Sequence, residues 1–247
     1  MRPVLFYWRG RPIWSYPAML YIGLVFGVLA GNVAAHAEGA NAFAVFVATF
    51  ALLVPALIGA RLLFVATHWE HFRGDWRRIW RRDEGGAAQY GALFIMIPLS
   101  VPVLRMLGVG MGAFWDAAAF TILVGMTFTR IGCFLNGCCA GRPNPWGLRL
   151  PNRSGTWERR VPTQLLEAAL ALLLVWLAVA AWPTRPFAGA VFLLVAGGYG
   201  GGRLLLETLR ERSPGRGLFS IHHAISLAMV ITALAVLGQH WTFRGQP

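Results

Sequence analysis

The sequence predicts an all-α membrane protein, with seven transmembrane helices around a central polar cavity and short interfacial helices in its polar loops. Two observations lead to this prediction. The 247 residues are 57% hydrophobic and only 13% charged, with 11 Trp, which is too apolar for a soluble domain of this size. The apolar residues are also gathered into seven runs long enough to cross hydrocarbon. We expect residues 1–247 to form one integral-membrane domain.

The seven predicted spans are separated by connections of different character. In order, the spans are residues 16–35, 43–66, 85–107, 114–134, 162–182, 187–208 and 219–237. A short aromatic head, residues 1–13, precedes them. Residues 68–84 mix both signs of charge with three Trp at helical spacing, which is typical of an amphipathic segment at the interface. Residues 143–161 have turn chemistry and no apolar period, so they predict a loop, and its length favours a functional role.

The basic residues are all arginine, since the chain has 22 Lys+Arg and contains no Lys. A bias in the base composition of the gene is one explanation. Arginine is also the side chain whose planar fork holds two phosphate oxygens at once, and a net charge of +12 suits anionic lipid head groups. The arginines lie between apolar runs rather than on a soluble basic domain. We therefore expect membrane lipids, and no nucleic acid, as partners.

The densest polar stretch closes the fourth span at residues 129–142 and reads T-R-I-G-C-F-L-N-G-C-C-A-G-R. Arg130, Cys133, Phe134 and Gly137 share one helical face by the three/four spacing. An arginine this close to hydrocarbon is costly unless it meets a carboxylate, a phosphate or water. The stretch therefore predicts one wall of a polar cavity.

Polar residues in other runs are candidates for the remaining walls. Gln164 and Glu167 share a face in the first turns of the fifth span, where a carboxylate needs a cationic or wet neighbour. Arg203 and Glu207 are four apart and could pair, which would make Arg203 structural. Arg61 either lines the cavity or extends to the interface with its charged end.

Two further polar residues have simple structural alternatives. Tyr90 offers a phenol near the membrane surface, either as an interfacial anchor or in the cavity. Asp116 lies at the opposite end of the fourth span from Arg130. Its position indicates a helix-start residue rather than a catalytic one.

The order of motifs resembles the prolipoprotein diacylglyceryl transferase family over nearly the whole chain. The family signature G-R-I-G-N-F-I-N-G-E-x-x-G-R is similar to residues 129–142, and H-P-[ST]-Q-L-Y-E to residues 161–167. The pattern Y-G-x-x-R-x-x-x-E-x-x-R looks like residues 199–210. A G-G-x-x-[FY]-[HY]-G-G-L block resembles residues 85–93, and an early Tyr-containing block resembles residues 15–19.

The resemblance implies transfer of a diacylglyceryl group from phosphatidylglycerol to the lipobox cysteine thiol of a prolipoprotein signal peptide, with release of glycerol phosphate. It places this reaction on a multi-pass protein of the bacterial inner membrane, with the active site facing the periplasm. No metal or other cofactor is expected. The implied catalytic residues are Arg130, Arg203, Tyr90 and Glu167. The implied substrate-binding residues are Tyr16, Arg61, Asn136, Gly137, Arg142, Gln164, Tyr199, Glu207 and His223.

These residue types suit the implied chemistry. A phosphate ester that leaves from carbon needs its developing charge held by fixed cations, for which Arg130 and Arg203 are the main candidates. The nucleophile belongs to the acceptor, so the enzyme needs only a base or proton path, with Tyr90, Tyr16 or Glu167 as candidates. The positive-inside rule would place the Arg-rich loops in the cytoplasm. We follow the family and expect them outside, because functional arginines raise the count.

The chain departs from the family pattern at four positions. Tyr90 stands where many members carry His, Cys133 where Asn is usual, Cys138 where Glu is usual, and Val161 where His is usual. A phenol, two thiols and an alkyl group replace a base, an amide, an acid and an imidazole. The same fold with another acceptor is therefore an alternative.

The cysteines support an alternative function of a different class, a metal-binding or redox membrane protein. Cys133, Cys138 and Cys139, with His222 or His223, could bind a soft metal, or two of the cysteines could form a redox disulfide. The spacing C-x4-C-C matches none of the strong zinc patterns. Free thiols in a packed interior are the simplest alternative.

Overall fold

The computed structural model describes residues 1–81, 89–152, 154–211 and 221–244. Its longer helices are α1 (Ser15–Ala37), α2 (Ala42–Thr67), α4 (Gln89–Met106), α5 (Met111–Asn136), α6 (Thr163–Ala181), α7 (Ala190–Glu207) and α8 (Ile221–Arg244). A short α3 (Trp69–Phe72) follows α2. In the described part of the chain, six helices are long and apolar enough to cross a membrane, and α4 is a shorter apolar helix.

The prediction of an all-α, multi-pass membrane protein is confirmed by these helices. The number of seven spans stays a prediction. The predicted starts of the third span, at residues 85–88, and of the seventh, at residues 219–220, lie outside the described residues. The central cavity likewise stays a prediction.

Two small β-hairpins differ from the expected head and loop. In the head, β1 (Val4–Trp8) pairs antiparallel with β2 (Arg11–Trp14), and after α5, β3 (Pro143–Pro151) pairs antiparallel with β4 (Trp157–Arg160). The second hairpin turns at Asn152, whose side chain accepts from the backbone N–H groups of residues 154 and 156 at 2.9 Å each. Neither hairpin is encoded by an alternating apolar pattern, which is why the sequence did not predict them.

The chain divides into two compact units, residues 35–114 and residues 1–34 with 115–247. In the first of these, α2 packs along α4 so closely that a Cβ on Gly91 would lie 2.2 Å from the Gly59 carbonyl oxygen. Arg61 and Tyr90 belong to this unit, and Tyr90 is buried. Each of the other predicted site residues belongs to the unit formed by residues 1–34 and 115–247.

Arg61 holds the connection that follows α2. Its Nε donates to the Ile79 carbonyl oxygen at 2.7 Å, and its guanidinium lies over the rings of Phe64 and Phe72. The described part of that connection contains α3 and a 3₁₀ helix, Trp76–Trp80, as expected from the prediction of short helices there. Residues 82–84 of the connection lie outside the described residues. The structure thus gives Arg61 a structural partner within its own unit.

In the larger unit, α1 and α5 cross at small residues. A Cβ on Gly27 would lie 2.6 Å from the Thr121 carbonyl oxygen, so only glycine permits this approach. Nearer the other end of the crossing, a Cβ on Gly132 would lie 2.9 Å from the Met19 Cβ and 3.4 Å from the Tyr16 Cα. This contact places Tyr16 beside the last turns of α5.

Asp116 was expected to stabilise the start of its own helix. That expectation is wrong, because Asp116 stabilises the start of a different helix. The fully buried carboxylate of Asp116 accepts from the backbone N–H groups of Gly189 and Phe192 at 2.8 Å each. Those groups lie at the start of α7. Asp116 therefore caps α7 from within α5, and it fixes the end of α7 opposite to Arg203.

Candidate functional site

The candidate site is built around one buried carboxylate. Glu167, in the first turns of α6, is 1% exposed. Its Oε2 lies 2.6 Å from Arg130 Nη2, and its Oε1 lies 2.6 Å from Arg203 Nη1 and 3.2 Å from Arg210 Nη1. We call Arg130, Arg203 and Arg210 with Glu167 the arginine cluster. Its members come from α5, α6, α7 and the segment after α7.

The positive charge of the arginine cluster is only partly neutralised. Glu207 adds a second carboxylate, with its Oε2 3.1 Å from Arg203 Nη2, in the pairing expected from their spacing. Among the described residues, three guanidinium groups and two carboxylates leave 3 − 2 = +1. Charges taken out of water are costly unless they are paired, so a surplus cation in this setting favours an additional anion.

Arg210 was not among the residues predicted for the site. It is brought to Glu167 by strand-like pairing, in which Gly141 bridges to Arg210 and Arg142 N donates to the Leu209 carbonyl oxygen at 2.9 Å. A Cβ on Gly141 would lie 2.5 Å from that same oxygen, so the approach requires glycine. Burial and the neighbouring Arg203 lower the pKa of the Arg210 guanidinium. This destabilisation of the charged form would be relieved by a further anion.

Tyr199 lies one turn before Arg203 on the same face of α7. Its phenol is buried and interacts electrostatically with Arg130. Arg130 thus has the carboxylate of Glu167 on α6 as its ion-pair partner and Tyr199 on α7 as an electrostatic neighbour.

The end of α5 is shaped by a Schellman motif. Gly137 adopts φ +80° and donates to the Phe134 carbonyl oxygen at 3.2 Å, while Cys138 N donates to the Cys133 carbonyl oxygen at 3.1 Å. The sequence N-G-C at residues 136–138 suits this ending, since glycine has no steric penalty at positive φ. The motif turns the chain back and leaves the Asn136 side chain exposed.

The loop after this motif is fixed by the start of α6. Gln164 Nε2 donates to the Cys138 carbonyl oxygen at 2.6 Å, and Thr163 Oγ1 donates to the Cys139 carbonyl oxygen at 2.8 Å. Both donors are buried. The amide nitrogen of Gln164 thus positions the loop, and the predicted role of Gln164 in orienting a lipid head group stays a prediction.

A crevice beside the arginine cluster lies between α7 and α8. It is lined by Arg203, Leu204, Glu207, His222, His223 and Ser226. His223, a predicted substrate-binding residue, thus lies close to the Arg203–Glu207 pair.

Three thiols lie together at the end of α5. The sulphur atoms of Cys133, Cys138 and Cys139 are all within 4.8 Å of one another. Hydrogen bonds from Cys133 and Cys138 lower the pKa of the Cys139 thiol, and Arg210 and Arg130 act in the same direction. All three cysteines are free.

A sequence model of the family described as prolipoprotein diacylglyceryl transferase matches residues 3–238. The chain belongs to the prolipoprotein diacylglyceryl transferase family. Among curated proteins, it is similar to the phosphatidylglycerol–prolipoprotein diacylglyceryl transferase of Clostridium tetani, with 28% identity over 96% of each chain. It is also similar to the protein of the same name from Geobacter sulfurreducens, with 32% identity over 76% of this chain and 74% of that one. The protein of the same name from Corynebacterium diphtheriae is 26% identical over 91% of this chain and 87% of that one.

The signature motifs of a prolipoprotein diacylglyceryl transferase therefore converge within this fold. Residues 129–142, 161–167 and 199–210 supply the arginine cluster and its surroundings. Arg210 is the last residue of the third motif, so the motif could have indicated it. Arg142 lies beside the cluster in the backbone pairing, but its side chain is exposed.

Proposed function

We propose that this protein transfers the diacylglyceryl group of phosphatidylglycerol to the lipobox cysteine thiol of a prolipoprotein. The observation that supports the proposal is the arrangement of Arg130, Arg203 and Arg210 on the single carboxylate of Glu167. A phosphodiester carries one negative charge, which matches the surplus charge of the cluster. The names of the relatives point to the same substrates.

The reaction requires little from the protein beyond charge and position. The acceptor sulphur attacks the carbon of the diacylglyceryl group that is bonded to the phosphate oxygen, a C–S bond forms, and the C–O bond on that side of the phosphodiester breaks. The bonding electrons leave with glycerol phosphate, and the thiol proton passes to a base or to that leaving group. Fixed guanidinium groups stabilise the phosphate as its charge develops, and they need no reorganisation at that moment.

Within this proposal, Arg130 and Arg203 bind the phosphate oxygens and Arg210 supplies further positive charge. Glu167 is already in contact with three guanidinium groups, so accepting a proton would disrupt its ion pairs. We assign it the positioning of the arginines, and Tyr16 remains the proposed route for the thiol proton; the catalytic role of Tyr90, which belongs to the other unit, stays a prediction. Head-group binding is proposed for residues of the same unit as the cluster: Asn136, Gly137, Arg142, Gln164, Tyr199, Glu207 and His223. The binding role predicted for Arg61, which belongs to the other unit, stays a prediction.

We also propose that the site faces the periplasmic side of a bacterial inner membrane. The acceptor is then the signal peptide of a prolipoprotein delivered to the outer face. In this proposal, the many arginines of the polar loops contribute to the active site, and they do not set the orientation of the chain in the membrane.

The test is a reconstituted assay with purified protein in vesicles of labelled phosphatidylglycerol. A peptide with a lipobox cysteine is expected to gain the diacylglyceryl label, with equimolar release of glycerol phosphate. The matched control is the same peptide with Cys→Ser, which is expected to gain none. Release of glycerol phosphate without any need for the thiol peptide would indicate a different acceptor, and absence of both products would refute the proposal.

A further inference from the structure

The three thiols at the end of α5 form a group that the proposed lipid transfer does not use. We infer that Cys133, Cys138 and Cys139 form a binding site for a thiophilic d¹⁰ metal ion, Zn²⁺ or Cu⁺. This inference does not rest on the proposed function, because the sulphurs belong to neither the arginine cluster nor its carboxylates.

The spacing of the sulphur atoms suits a common metal centre. Zn–S bonds are about 2.3 Å long, so three sulphurs on one ion lie roughly 4 Å apart. The three Sγ atoms here are within 4.8 Å of one another. Closing that difference needs shifts of less than about 1 Å, which side-chain rotations can supply. A disulfide would use two sulphurs and leave the third without a role, whereas a metal uses all three.

The backbone arranges the thiols before any ligand binds. The Schellman motif at Gly137 brings Cys138 back to Cys133, the two being joined by a backbone hydrogen bond of 3.1 Å. Cys139 then takes φ +64°, which a non-glycine residue adopts at a cost of order 1 kcal/mol or more. Such strain persists only where the surroundings impose it. Here the buried Gln164 and Thr163 impose it through the carbonyl oxygens of residues 138 and 139.

Charge around the group favours thiolate ligands. Three thiolates and Zn²⁺ sum to −1, and with Cu⁺ they sum to −2. Arg130 lies three residues before Cys133 on α5, about one helical turn away, so a guanidinium group lies near the surplus negative charge of the metal centre. Cys133 is buried and Cys139 is exposed, which gives an ion a route from solvent into the group. Soft thiolate ligands select these ions over Mg²⁺ or Ca²⁺.

The histidines do not share this group. His222 and His223 line the crevice beside Arg203, and within the part of the chain that the structure describes, the ligand atoms that lie together at the end of α5 are the three sulphurs. An ion that requires a fourth ligand would take it from solvent or from an exogenous donor. Binding releases the thiol protons as the sulphurs coordinate.

The test uses the full-length protein, purified anaerobically in detergent, stripped with a chelator and reduced. Co²⁺ is titrated first, because thiolate-to-cobalt charge transfer reports sulphur ligands directly, and Zn²⁺ and Cu⁺ are then tested by competition with chromophoric chelators. We expect one equivalent bound per chain. Both ions are expected to displace Co²⁺, because thiolates bind each of them more tightly than Co²⁺, and failure of both to displace it would overturn the inference.

Variants of the three cysteines test which residues bind the metal ion. We expect Cys133→Ser and Cys139→Ser each to weaken binding by at least about tenfold, and the triple Cys→Ser protein to lose the charge-transfer band. His223→Ala is the matched control and is expected to bind like the wild type. Retained binding in the triple variant, loss of binding in His223→Ala, or a disulfide in the anaerobically purified protein before the reduction step would overturn the inference. The lipid-transfer assay on the same samples reports separately on the proposed function.

Discussion

Arg203 Nη1 lies 2.6 Å from Glu167 Oε1, and the two residues come from separate helices, α7 and α6. The contact is buried, since the two side chains are 10% and 2% exposed. Arg130 approaches the other oxygen of the same carboxylate at the same distance. One acidic side chain thus sets the relative positions of cations on different helices, and the following predictions depend on that arrangement.

Removal of a guanidinium group that we propose to bind the lipid phosphate should reduce lipid transfer. We expect Arg203→Ala and Arg130→Ala each to lower kcat by about 10²- to 10³-fold, because each removes a fixed cation from the developing phosphate charge. Transfer of label from phosphatidylglycerol to a lipobox peptide measures this. Arg149→Ala, at an exposed position in β3, is the matched control and should leave the rate unchanged. Full activity in either cluster variant would refute the assigned role.

Neutralising Glu167 should destabilise the fold. Glu167→Gln leaves three guanidinium groups without their shared counter-charge, and breaking a buried ion pair in this way costs about 3–5 kcal/mol. Thermal unfolding of the purified protein in detergent should therefore begin at a clearly lower temperature. Glu70→Gln is the control, because Glu70 is paired with Arg73 at the surface, where such pairs contribute at most about 1 kcal/mol. Equal melting temperatures for the two variants would contradict the central position of Glu167.

The crossing of α1 and α5 should depend on Gly27. Gly27→Ala would place a Cβ about 2.6 Å from the Thr121 carbonyl oxygen, so the helices must separate. We expect a loss of about 1–3 kcal/mol in stability, as for overpacking of a close interface. Gly238→Ala in α8 is the matched control, since its Cβ would meet nothing within 4 Å. A Gly27→Ala protein as stable as the control would show that this approach is not essential.

The orientation in the membrane can be tested at the β3–β4 hairpin. Trp146 is 93% exposed, so Trp146→Cys in the triple Cys→Ser background gives a single accessible thiol. We expect an impermeant maleimide to label it from the periplasmic side of intact spheroplasts. Labelling that requires access from the cytoplasm would place the site on the opposite face and support the positive-inside count.

Much of the site could be predicted from the sequence because its residues lie on regular helices within recognisable motifs. Arg203 and Glu207 are one helical turn apart, and Glu167 lies in an apolar segment where a carboxylate requires a cation. The family resemblance then linked these separate segments. Spacing within one helix could not show that Arg130 and Arg203 share Glu167, since that contact joins three helices.

The roles that sequence analysis missed depend on contacts between residues that are far apart in the chain. Arg210 reaches Glu167 only because residues 141–142 pair with residues 209–210, and no local pattern encodes this pairing. Asp116 was assigned to its own helix because its partners, the N–H groups at the start of α7, lie more than 70 residues later. The β3–β4 hairpin has no alternating apolar face, so the period of its sequence gave no strand signal.

The most direct test of the account is the binding of phosphatidylglycerol by the arginine cluster itself. Native mass spectrometry or equilibrium binding with a short-chain phosphatidylglycerol should show a saturable site on the wild-type protein. We predict that affinity falls at least about tenfold in Arg203→Ala, a loss of about 1.4 kcal/mol, and is unchanged in Arg149→Ala. Diacylglycerol, which lacks the phosphate, should not compete. Equal affinity of the wild-type and Arg203→Ala proteins for phosphatidylglycerol would contradict the claim that these guanidinium groups bind the lipid phosphate.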